Sequence, residues 1–270
     1  MNLSPQHLQA LYQAYCETHV LWKSADISTL KQLEIPICYD SLFLRKLERQ
    51  LRLGQLAEQF VFNHLEACKS IKILAENIQI QKNKLTLGEL DALLLVDNLP
   101  IHLEIIYKFY VYDSTLGKTE IERWIGPNRK DSLIEKLNKL NQKQLPLLYS
   151  QDCKFTLKQL DLEHYKFEQR VLFKAQLFVP YQQKVTIELL NTDCVCGFYI
   201  NTTQLETFKN HLFHIPTKLD WFLKPHTDID WLEYSNFRSE SKAFLDNNQS
   251  PLFWMLSKTG ELTKSFLVWW

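Results

Sequence analysis

The chain has 270 residues, and its 31 lysines and arginines balance 31 aspartates and glutamates. No global field therefore draws it to nucleic acid or a charged membrane, and any electropositive surface must be local. The length admits one large domain or two small ones with a substantial core. No apolar run approaches the roughly 18 residues needed to cross a bilayer. The start, Met1 to Gln6, lacks the basic and apolar segments of a signal peptide, so a cytoplasmic protein with no membrane partner is expected. Six scattered cysteines read as reduced core thiols rather than a disulfide framework. Glycine is scarce, and neither a dinucleotide fingerprint nor a phosphate-binding glycine loop occurs, which weighs against the common nucleotide-dependent enzymes.

Ser4 and Pro5 suit the cap and first position of an opening helix, with Leu8, Leu11, Tyr12, Tyr15 and Val20 at helical spacing. Pro36 interrupts, and the spacing of Leu44, Leu47, Leu51, Phe60 and Leu65 predicts a second helix over about 42–68. Gly54 and Glu58 share one face of it. Strands are expected over 71–80, 89–97 and 101–111, the last two joined as a hairpin by Asp97-Asn98-Leu99-Pro100. Gly126-Pro127-Asn128 leads to a helix opened by Ser132 and Glu135 and limited by Pro146. Beyond it, 171–180 and 194–200 read as strands. Thr203 with Glu206 reads as the cap of a short helix, and 218–223 and 265–270 read as extended. The class is α/β or α+β, with a weak boundary near residue 150: helices and a three-stranded core over 1–150, then a strand- and aromatic-rich extension over 151–270, packed as one unit with the core.

The chemistry concentrates in Gly88-Glu89-Leu90-Asp91 and His102-Leu103-Glu104, where carboxylates sit in otherwise apolar strands. Burying them is costly unless they are paired or bound to metal. Strand alternation puts Glu89 and Asp91 on one face, and His102, Glu104 and Lys108 on one face of the next strand. Asp91 and Glu104 can therefore converge. Two adjacent carboxylates repel, and magnesium or manganese would relieve the repulsion and activate water toward a phosphate. Glu58 offers a third carboxylate. The bland reading is that Asp91 and Glu104 pair with Lys108, His102 or Arg123 on a solvated face.

The order helix with glutamate, strand, strand with aspartate, strand with glutamate and lysine, then helix resembles the αβββαβ restriction-endonuclease-like core of the PD-(D/E)xK nuclease superfamily, over about 44–150. The resemblance implies metal-binding roles for Asp91 and Glu104, with Glu58 as the helix glutamate. It makes Lys108 the catalytic lysine and Gln144 a supporting polar residue on the following helix. It implies a metal-dependent nuclease cutting DNA or RNA. Across nearly the whole chain, these runs together with Gly126-Pro127 resemble an uncharacterised bacterial family, domain of unknown function eighteen fifty-three.

One departure stands out. The superfamily places its lysine two residues beyond the glutamate, where this chain has Ile106. Lys108 starts about 13 Å from Glu104 rather than about 6.6 Å, and Lys136, on the next helix, is the substitute. The displaced lysine motivates the alternative of a catalytically inactive protein that binds nucleic acid or a protein partner. Arg123, Arg129 and Lys130, with Lys136, Lys139 and Lys143, suit a phosphate backbone beside the carboxylates; alone they read as a solvated face. Cys194-Val195-Cys196 and His211-Leu212-Phe213-His214 are too closely spaced for a zinc site, and a strand with buried thiols is the better reading.

Overall fold

The computed structural model describes residues 3–23, 27–35 and 42–270; Met1, Asn2, Pro36 and Cys38 lie outside them. The architecture is mixed α/β with a large mixed sheet. Its elements are α1 (Pro5–Glu17), α2 (Leu53–Ala67), β1 (Ile71–Lys82), β2 (Leu85–Val96), β3 (Leu99–Tyr112), β4 (Trp124–Ile125), α3 (Leu133–Lys139), α4 (Leu145–Leu147), α5 (Gln151–Gln159), β5 (Glu168–Pro180), β6 (Val195–Asn201), β7 (Leu212–His214), α6 (Tyr234–Asp246), β8 (Leu252–Leu256) and β9 (Leu262–Val268). A π-helical turn, Leu140–Gln144, joins α3 to α4.

Two compact units interleave along the chain: 20–107 with 135–174, and 3–19 with 108–134 and 175–270. The expected boundary near 150 does not mark this division, because β3 and β5 each run through both units.

In the first unit, β1, β2 and β3 pair antiparallel. The β2–β3 turn places Asp97 and Asn98 at φ 48° and 68°, the left-handed pair that a tight hairpin requires and asparagine tolerates. Helix α2 is shorter than its apolar spacing predicts. Residues 42–52 form no helix, because the buried Asn63 claims their backbone. Its Oδ1 accepts from Leu44 N at 2.7 Å, and its Nδ2 donates to Leu42 O at 2.9 Å. Phe43 packs edge-on to Phe60, and Arg45 binds Glu66 and Glu76. Leu44 is left exposed.

Gly88 has a packing reason. A Cβ there would lie 2.7 Å from Leu147 Cδ2, so its absence lets the α3–α4 segment settle close onto β2.

The second unit holds β6 and β9 in parallel pairing and β8 antiparallel to both β9 and β7. Phe266, Leu267 and Val268 are buried in β9, so the apolar carboxyl end closes this unit's core. Three local expectations are corrected. Residues Leu219–Phe222 form a 3-10 helix rather than a strand, because Thr217 and Asp220 bind one another and tighten a turn. The turn before Leu205–Phe208 is capped by Asn201 Oδ1, which accepts from Thr203 N and Gln204 N, not by Thr203. Strand β6 begins at Val195, so Cys194 is buried while Cys196 is exposed. No disulfide joins any two of the five described cysteines.

Candidate acidic site

The site lies entirely within the first unit and begins where the β2–β3 ladder stops. Ala92 faces Leu103 in the last pair of that ladder. One step further would set two carboxylates opposite each other on one face, a repulsive arrangement. Instead Asp91 Oδ2 accepts from Ile105 N at 2.7 Å. The aspartate side chain takes over a backbone donor of β3 and is held against that strand.

Glu104 is fully buried. Its Oε2 accepts from Gln144 Nε2 at 2.5 Å, and Gln144 Oε1 accepts from Lys136 Nζ at 2.8 Å. The π-helical turn makes this bridge possible. Eight steps of an ideal helix overshoot two turns by about 80°, whereas a π turn absorbs about one residue and returns position eight to within about 20° of alignment. Lys136 and Gln144 thereby share the face turned to Glu104.

Burial first, then the charge of Glu104, raises Asp91 from the ordinary 3.8 to about 7. Burial likewise raises Glu104 to about 7, with Lys136 opposing. Glu58, on α2, is raised to about 7 by burial and then by Asp91, Glu89 and Glu104, with Lys136 opposing. At all three carboxyls Glu89 adds to the rise and Lys136 opposes it. His102, fully buried, is pushed down to about 4 by burial, with Asp91 opposing. Its Nε2 lies 3.2 Å from Glu104 Oε1, out of hydrogen-bond alignment, and neither atom has another partner.

The structure therefore brings together Glu58, Asp91, Glu104, Lys136 and Gln144. It does not bring Lys108 to them. Lys108 belongs to the other unit and donates to Asp131 Oδ2 at 2.5 Å, an acceptor nearer than any back-folded reach along the strand. Arg123 donates to Tyr112 Oη at 3.0 Å, and Arg129 binds Asp113 and stacks on Trp270, 3.9 Å from the ring centroid. Both are spent inside the second unit, while Lys130 is exposed.

Sequence reading underweighted Glu89, His102 and Gln169. Period-two counting back from Asp91 and Glu104 finds the first two. Gln169, on β5, had no local signal.

Among the described residues, the only trio of histidine, cysteine or carboxylate ligand atoms all within 4.8 Å of one another is Asp161, Glu163 and His164, which are exposed. Glu58, Asp91 and Glu104 are spread more widely, as repulsion among ionised carboxylates favours.

Fold and site define a mixed α/β protein carrying a partly buried acidic cluster on a three-stranded antiparallel layer. The chain belongs to the family described as Domain of unknown function (DUF1853), whose model matches residues 1–268. No curated protein and no solved structure matches it. No helix among the described residues is long and apolar enough to cross a membrane.

Proposed function

We propose that the protein is a magnesium- or manganese-dependent phosphodiesterase acting on DNA or RNA, on a restriction-endonuclease-like core of the PD-(D/E)xK kind. The observation that carries this reading is the convergence of Glu58, Asp91 and Glu104, from a helix and two paired strands, into one cluster of carboxyls with Glu104 buried, Asp91 and Glu58 partly so, and all three held near 7. The order α2, β1, β2, β3, α3, β5, with the two-residue β4 and helices α4 and α5 interposed, supports it. The donor set suits a hard cation, being all oxygen. Glu104 Oε1 is a buried acceptor without a hydrogen bond, 3.2 Å from His102 Nε2, and a carboxylate oxygen has lone pairs enough to accept there and still face a cation.

Asp91, Glu104 and Glu58 would hold the ion, which when bound supplies hydroxide near neutral pH and neutralises charge on the phosphate. Ile105 N fixes Asp91, and Gln144 fixes one oxygen of Glu104. Lys136, steadied by Gln144, is the cation positioned to stabilise negative charge as it develops. Lys139 and Lys143 are exposed on the same helical segment and offer contacts to a phosphate backbone. Cysteines scattered without a disulfide among the described residues suit a reducing, cytoplasmic setting. The engagement of Lys108 by Asp131 favours the second reading, an inactive relative that binds nucleic acid or a protein partner.

The test is cleavage of single- and double-stranded DNA and RNA with magnesium or manganese, beside calorimetric metal titration. Wild type should bind and cut, and Asp91→Asn and Glu104→Gln should do neither. Cleavage that survives both substitutions eliminates this site. Metal binding without cleavage leaves the binding module.

A further inference from the structure

The hydrogen bonds around Glu104 fix more than the carboxylate. Gln169 Nε2 lies 2.6 Å from Leu145 O and 3.3 Å from His102 Nδ1. A carbonyl oxygen can only accept, so Gln169 must present its NH2 group there, and its second hydrogen faces the imidazole. The Nδ1 atom must then be an acceptor, which leaves the ring's proton on Nε2, the atom 3.2 Å from Glu104 Oε1. Gln144 already holds the other carboxylate oxygen. Both arms are anchored on adjacent residues, Gln144 and Leu145, at the end of the π-helical turn.

We propose that His102 and Gln169 form a positioning dyad in which Gln169 locks the Nε2–H tautomer of His102 so that it donates to Glu104 Oε1 and orients that carboxylate toward a cation. In the structure that contact is 3.2 Å long and out of hydrogen-bond alignment, so forming the bond requires the ring or the carboxylate to turn. The inference rests on the metal-site reading for its purpose, but the tautomer follows from hydrogen-bond polarity alone. Supporting groups of this kind set ligand orientation, and removing one typically weakens metal affinity about 10- to 100-fold. A glutamate at position 169 reverses the logic. Its carboxylate can only accept, so it would draw the imidazole proton to Nδ1 and turn the bare Nε2 lone pair on Glu104.

The experiment uses full-length protein labelled with 15N-histidine, with the His102 resonances identified by their loss in His102→Asn. Long-range proton–nitrogen correlations on metal-free protein should show the Nε2–H form in wild type, a mixture in Gln169→Leu and the Nδ1–H form in Gln169→Glu. Manganese affinity should fall about 10- to 100-fold in both Gln169 variants. An Nδ1–H ring in wild type, or a tautomer unmoved by Gln169→Glu, overturns the dyad. So does an unchanged manganese affinity in variants of a metal-binding wild type. If wild type shows the Nε2–H ring yet binds no manganese, the metal reading has failed and the tautomer lock stands without a metal to serve.

Discussion

Asp91→Asn separates a metal site from a solvated charge pair, because the two predict opposite signs. Raising this carboxyl from 3.8 to about 7 makes its ionised form less favourable in the fold than in water by about 4 kcal/mol, at about 1.4 kcal/mol for each tenfold change in proton affinity. At pH 8 the metal-free protein bears that penalty. Asparagine removes the charge, and its amide oxygen can still accept from Ile105 N. Burying the amide returns about 1–3 kcal/mol of the gain, which leaves a net stabilisation of about 2 kcal/mol. For a protein of this size that raises the melting midpoint by about 4–8 °C. Thermal unfolding followed by circular dichroism at pH 8, in chelator and then in saturating magnesium or manganese, measures it. Wild type should gain stability on metal addition, and the variant should start higher and gain none. A variant that melts lower in chelator, or still gains stability with metal, refutes the reasoning.

Three further predictions follow from the same geometry and its surroundings. Because Glu58, Asp91 and Glu104 are raised in the fold, the native state holds more protons than the unfolded chain between about pH 4 and 7. Their contribution to stability is present below that window and lost as pH rises through about 7. His102, depressed to about 4, acts in the opposite sense between about pH 4 and 6.5 and offsets part of it. The advantage of Asp91→Asn in urea unfolding should therefore grow from pH 5 to pH 8; a constant difference would show that Asp91 titrates normally. Lys136→Met should lower any cleavage rate at least about 100-fold while manganese still binds, and Lys108→Met should leave the rate within about twofold. The reverse result would return the catalytic lysine to Lys108. In the second unit, a Cβ at Gly197 would overlap the carbonyl oxygen of Lys264 on the neighbouring strand. Gly197→Ala must push β6 off β9, at a cost of about 3 kcal/mol or more. A midpoint within 1–2 °C of wild type, on the order of experimental scatter, would contradict the packing.

Local sequence carried the elements around the acidic cluster because their causes are local. Period-two alternation set the faces of β2 and β3, Asp97-Asn98 set the hairpin, and Ser4, which accepts from His7 N at 3.1 Å, set the start of α1. Apolar spacing failed over 42–52, since Asn63, nineteen residues beyond Leu44, holds that backbone extended. The pairing of β6 with β9 in parallel and the interleaving of the two units likewise join residues far apart in sequence.

The same division runs through the site. That Asp91 and Glu104 occupy corresponding faces of paired strands was legible from the residues alone, because it depends only on strand parity and turn length. Equally legible was that Lys108 stands too far along β3 for the usual spacing. The partners of Glu104 and His102 came from long-range packing. A single π-helical turn rotates Lys136 and Gln144 onto Glu104, and β5 delivers Gln169 to His102. Those partners are chosen by how a helix and a distant strand pack on the sheet, and no local pattern of residues encodes that.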